Sequence, residues 1–229
     1  MRRAILFLSG AFAGCFLLYV FFVVTLEPFA ATQTVAVVTK GTQQEFPIAL
    51  TETLCAVRLA AYDGPFLEDG TDEEVVGIAA LELVNSSSEM IGKGEVILYC
   101  TDRILLFDFT NLPAGESLLV LERNRSLFGA DTVTDVQVVI CEDAAPADNT
   151  VVAWVEEPGS IRLENTADST LVDVRVFYKT YDAESKMYIG GITYSAIASE
   201  LKAEEIRTIA PYHVAYGYTR IVKVSYDES

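Results

Sequence analysis

The chain holds one histidine, His213, so every histidine-dependent chemistry converges on a single residue. A Ser-His-Asp site would need it as general base, and zinc clusters built on several histidines are excluded. His213 lies in Pro211-Tyr212-His213-Val214 with no nucleophile motif beside it. The chain also lacks G-x-S-x-G, a phosphate-cradling glycine loop and paired C-x-x-C motifs. Among its 33 acidic residues no spacing singles out a glycosidase-like pair. The densest acidic stretch holds Asp63, Glu68, Asp69, Asp72, Glu73 and Glu74 with Gly64 and Gly70. It offers hard oxygen ligands without the spacing of an EF-hand loop and reads as a solvated loop. The chain is therefore expected not to be an enzyme, with no catalytic, cofactor-binding or metal site.

Binding chemistry is better represented. Tyr212, Tyr216 and Tyr218 stand close to Arg220, with Tyr188 and Tyr194 upstream. Tyrosine combines flat contact area with a polar tip, so Tyr212, Tyr216, Tyr218 and Arg220 form a candidate surface for a sugar or a peptide. The competing reading is that tyrosines on alternating strand positions pack against a sheet. Alternation places Cys55 with Val57 and Leu59, and Cys100 with Val96 and Leu98, both facing inward. It places Cys141 outward with Asp135 and Gln137. Cys55 and Cys100 are a candidate disulfide in an oxidising exterior, or two reduced core thiols. Asn85-Ser86-Ser87 and Asn124-Arg125-Ser126 match the N-glycosylation acceptor pattern, a coincidence if the source is bacterial.

These residues must be positioned by strands. Apolar and polar residues alternate with period two over 53–61, 75–84, 95–100, 104–109, 117–122 and 132–141. A second series covers 151–155, 161–164, 172–178, 187–193, 205–209 and 216–225. Turn-forming clusters separate the runs, among them Asp63-Gly64-Pro65, Leu112-Pro113-Ala114-Gly115, Glu157-Pro158-Gly159 and Gly190-Gly191. Residues 195–205 read as a turn or two of helix. The pattern predicts an all-β chain of sandwich type.

The two series look like one unit used twice. Leu81-Glu82-Leu83-Val84-Asn85 echoes Ile161-Arg162-Leu163-Glu164-Asn165, and each asparagine opens a polar turn before a hydrophobic strand. Leu112-Pro113-Ala114-Gly115-Glu116 parallels Leu201-Lys202-Ala203-Glu204-Glu205, and the second copy has the longer hairpin between these landmarks. Two tandem β-sandwich domains over 47–143 and 150–229 are expected, joined by a Pro/Ala/Asp linker at 144–149. One continuous sandwich is the alternative.

Asn165, Phe177, Tyr181, Asp182, Leu201 and Glu204 fall in an order that resembles the FxLYD-type sandwich domains of bacterial envelope proteins. Glu204 stands where that pattern has Gly; the first copy keeps the turn at Leu112 to Glu116 but has no Phe-x-x-x-Tyr-Asp. The resemblance implies an immunoglobulin-like, extracytoplasmic module with no catalytic residues and no ligand.

Ahead of these elements, 23 residues from Ala4 to Leu26 carry no charge. As a helix they would reach about 34 Å, enough for a bilayer core of about 30 Å. Arg2 and Arg3 before the run place a stub of residues 1–3 in the cytoplasm and everything past a stalk at 27–46 outside. A cleaved signal peptide or a lipobox at Cys15 is the rival reading; Pro28 and Phe29 suit signal peptidase poorly, and the most apolar stretch follows Cys15. Gly10 and Gly14 form a G-x-x-x-G face, a candidate helix–helix contact supporting a weak homodimer. Past Arg2 and Arg3, 14 basic residues face 33 acidic ones, 14 − 33 = −19. Such a surface repels nucleic acid. The expected protein is a single-pass, extracytoplasmic interaction or assembly module of the cell envelope, with an envelope protein or glycan as partner and no cofactor. A carbohydrate-binding surface module is the alternative, and an envelope hydrolase the contrasting class.

Overall fold

Strand alternation decides the local structure. In β5 (Ile91–Cys100) Val96, Leu98 and Cys100 turn into the core while Glu95, Ile97 and Tyr99 stay half-buried. The computed structural model describes residues 33–37, 44–142, 150–215 and 217–228. The anchor at 4–26 with Gly10 and Gly14, the stub, most of the stalk, the linker at 144–149 and Tyr216 lie outside the described residues, as does the side chain of Cys141. The described residues are all-β, and no helix among them is long and apolar enough to cross a membrane.

Before the linker the strands are β1 (Gln33–Val37), β2 (Ile48–Ala49), β3 (Leu54–Phe66), β4 (Glu73–Asn85), β5, β6 (Ile104–Leu112), β7 (Ser117–Leu121) and β8 (Val133–Glu142). After it come β9 (Val151–Glu156), β10 (Ser160–Asn165), β11 (Leu171–Asp182), β12 (Met187–Leu201), β13 (Ile206–Ile209) and β14 (Thr219–Glu228). The expected helix at 195–205 is corrected. Residues up to Leu201 pair with β11, Ala198 turns inward and Ile197 outward, so sheet pairing overrides the helix preference of Ala and Glu.

In the first half the β2, β3, β4 and β7 layer packs on β1, β8, β5 and β6. Leu81, Leu83 and Leu118 from one layer meet Val96, Phe107 and Val138 from the other. A second core gathers Ile161 and Leu163 of β10 with Val174, Val176 and Tyr178 of β11. The layers of the two halves do not stop at the linker. A seven-stranded sheet runs β14-β11-β12-β7-β4-β3-β2, and residues Gln33–Ser229 form one compact unit.

Asn85 and Asn165 do the same work in each half. Asn85 Nδ2 donates to the carbonyls of Glu89, Leu112 and Pro113; Asn165 Nδ2 donates to those of Ser169, Leu201 and Lys202. Each Oδ1 accepts the N–H two residues on, from Ser87 and Ala167. Both side chains are fully buried, so removing either leaves carbonyls without donors. Asn85→Ala and Asn165→Ala are each expected to cost about 3 kcal/mol in urea unfolding. A loss below about 0.5 kcal/mol would show that water replaces the amide.

Cys55 and Cys100 are both free thiols. Cys100 is buried in the first core, where burial pushes its thiol up. The inward placing of Cys55 is corrected: Leu54 and Ala56 face the core and Cys55 does not. A bulge between Ala56 and Arg58 shifts the parity, so counting back from Leu59 lands on the wrong side.

Candidate binding surface

Residues 210–218 link β13 to β14 and carry the candidate tyrosines. Pro211 follows Ala210 at the start of the loop, and His213 and Gly217 turn it at φ of 60° and 85°. Tyr178 Oη donates to the Tyr212 carbonyl at 2.7 Å, and Tyr181 N–H donates to the Tyr218 carbonyl at 2.7 Å. Ala215 N–H donates to Thr219 Oγ1, and Tyr218 N–H to the Ala215 carbonyl. At Gly159, between β9 and β10, an added Cβ would lie 2.6 Å from the Val214 carbonyl oxygen, so the two loops touch through backbone.

On this tethered loop Tyr212 and Tyr218 are 88% and 64% exposed. Burying a large side chain stabilises a fold by about 1.5–3 kcal/mol, and Tyr178, Tyr181 and Tyr188 do so. Tyr212 and Tyr218 leave that gain unused. Arg220 is exposed with its Cζ over the Tyr181 ring, 3.2 Å from its centroid, and Tyr188 meets Tyr181 edge-on. Three of the four expected surface residues thus share one loop and the start of one strand.

His213 stacks on Tyr194 with centroids 4.5 Å apart, and its Nδ1 lies 2.8 Å from Asp72 Oδ2. Asp72 meets the imidazole edge at Nδ1 as a triad acid would, and the Tyr194 phenol stacks on the ring face. Burial, with the charges of Asp72 and Glu68, pushes Tyr194 up to about 12, so it stays protonated and is no nucleophile at neutral pH. The contact ties the β3–β4 turn to the tyrosine loop.

The acidic stretch disperses over that turn. Asp69 and Glu73 grip Arg125, Asp63 accepts the Gly77 N–H, and Asp72 takes His213. Among the described residues no three His, Cys, Asp or Glu side chains converge as metal ligands.

Glu68 goes inward and meets a residue the sequence did not single out. Its carboxylate accepts N–H groups from Leu121, Gly191 and Ile192 at 2.7–3.2 Å. Lys179, fully buried, donates to the carbonyls of Gly190, Gly191 and Ile192 at 3.2, 2.8 and 2.6 Å. One peptide segment of β12 is thus held by its N–H groups from the first half and by its carbonyls from the second. Burial, opposed by the Glu68 charge, draws Lys179 down to about 7, while burial raises Glu68 against the pull of its N–H donors and Lys179. Beside it the Thr110 hydroxyl donates to the Thr193 hydroxyl, which donates to the Thr110 carbonyl, and Tyr188 enters the first core. The signals were present as Gly190-Gly191 and a lysine within an apolar strand. A bulge between Tyr178 and Thr180 lets the neighbours Tyr178 and Lys179 both be buried.

Comparison with protein-family models, with curated proteins and with solved structures found no match to this chain.

Proposed function

We propose that this chain is a membrane-anchored, extracytoplasmic interaction module of the bacterial cell envelope. Two tandem immunoglobulin-like sandwiches act as one rigid body and present Tyr212, Tyr218 and Arg220 to an envelope protein. One observation carries this reading: two tyrosine rings stand exposed on a loop that Tyr178, Tyr181, His213 and Thr219 hold in place. A preorganised loop loses little entropy on binding, and tyrosine is a frequent anchor at interfaces. The charge-free run at 4–26 and the acidic balance support display outside a membrane and away from nucleic acid.

The double variant Tyr212→Ala, Tyr218→Ala tests the reading, because exposed rings can be removed with a stability change within about 0.5 kcal/mol. If each ring contributes about 1–2 kcal/mol, capture of envelope proteins by crosslinking in native membranes should fall by at least ~30-fold. Retention on purified wall glycan, measured in parallel, separates a sugar-binding surface from a protein-binding one. Unchanged capture in both assays would remove this surface from consideration.

A further inference from the structure

The Asn85 and Asn165 corners align the two halves residue by residue, and the alignment exposes an unequal edge. Asn85 N–H donates to the Glu116 carbonyl, and Asn165 N–H donates to the Glu205 carbonyl, both at 3.0 Å. Leu83 pairs with Leu118 as Leu163 pairs with Arg207, so β13 occupies in the second half the place of β7 in the first. The outer side of β7 is filled: β12 runs parallel to it, with Tyr188 opposite Leu118 and Ile189 opposite Leu119. Beyond that pair, Glu68 takes the N–H of Leu121. The outer side of β13 carries no strand among the described residues.

Antiparallel pairs alternate between bonded and non-bonded positions. With Asn165 bonded to Glu205, Arg207 and Ile209 aim their backbone groups at β10, and Ile206 and Thr208 aim theirs at the open edge. Ile206 is 48% exposed there. The incoming strand on β7 buries one aromatic side chain, Tyr188, beside Leu118. At β13 the corresponding neighbour is Arg207, whose Nε and Nη2 both bond Glu205 Oε1 and whose side chain stays 34% exposed; a planar guanidinium so held suits an aromatic ring.

We propose that the outer edge of β13 is a second binding site, which takes an extended segment of a partner protein as an added parallel strand. The segment carries an aromatic residue over Arg207 and an aliphatic residue beside Ile206. Main-chain bonds to Ile206 and Thr208 supply affinity and these side chains supply selectivity. The site is separate from the tyrosine loop and stands or falls without it.

The probe is a fluorescent synthetic peptide of residues 185–193 of this chain, the stretch that fills the equivalent edge of β7. It is titrated against the purified full-length chain in detergent. Saturable binding is expected. Thr208→Pro should weaken it at least ten-fold, because proline removes an outward N–H that the sheet does not use. The Tyr212→Ala, Tyr218→Ala variant should bind as the parent does. In the unsubstituted chain, amide exchange at Ile206 and Thr208 should slow when the peptide is added, a measurement that does not depend on the folding of the proline variant. Absence of saturable binding, equal binding by a folded Thr208→Pro chain, or unchanged exchange at both amides would each overturn the proposal.

Discussion

Lys179→Met is expected to lower the unfolding free energy by about 3–5 kcal/mol at pH 7 and below, where folded Lys179 carries charge, because it removes the cation that offsets buried Glu68 and the donor to three carbonyls. Glu68 would keep its N–H donors but lose the cation that offsets its burial, and the Gly190, Gly191 and Ile192 carbonyls would lose their donor. Urea unfolding followed by circular dichroism reads the loss. Adding Glu68→Gln should recover a large share of it, since a neutral amide needs no buried counter-charge. A single-variant loss below about 1 kcal/mol, or losses that simply add in the double variant, would show that the two charges do not communicate.

The pair also sets a pH dependence. Lys179 is held at about 7 against an ordinary 10.5. Between those values the unfolded chain binds a proton that the folded chain lacks, so this group makes stability rise with pH. Glu68, held above 4.5, acts in the other direction at lower pH: the folded chain keeps a proton that the unfolded chain has released. The stability gap between the parent chain and Lys179→Met should therefore widen from pH 7 towards 10.5. A constant gap over that range would mean that Lys179 is charged in both states.

Gly191→Ala is the second large effect. A Cβ there would overlap the Asp108 carbonyl oxygen and lie 3.0 Å from Glu68 Oε2. The Asp108 oxygen belongs to the backbone of β6 and cannot swing away as a side chain can. Overpacking costs about 1–3 kcal/mol where neighbours relax, so a backbone clash falls at or above the upper end. Gly191 also carries the segment held by Glu68 and Lys179, and forcing β12 off β6 should loosen the joint between the halves. Calorimetry should then show two transitions, one for the core around Phe107 and Val96 and one for the core around Val174 and Leu163. A single transition at the midpoint of the unsubstituted chain would refute this.

The strands were legible because their cause is local. A strand that buries one face must alternate, and β5 and β10 show that alternation in sequence and structure alike. The asparagine corners were legible as a repeat, since each amide bonds along its own turn and needs the same spacing in both copies. The tyrosines were legible as a cluster, but only the fold separates Tyr212 and Tyr218, left in solvent, from Tyr188 and Tyr181, drawn into the first core.

Composition and period, read alone, determined an acidic, all-β chain with a repeated unit. Tertiary structure decided how the units meet. The longer hairpin of the second copy sends Tyr188 and Ile189 along β7, and that pairing spans far too much sequence to leave a periodic trace. Bulges decided which faces turn inward near Cys55 and Lys179, because one extra residue reverses the parity on which any strand pattern relies. Glu68 reads as one acid of a solvated loop and Lys179 does not stand out until the fold brings both to the same peptide segment of β12, where burial and each other's charge define their chemistry.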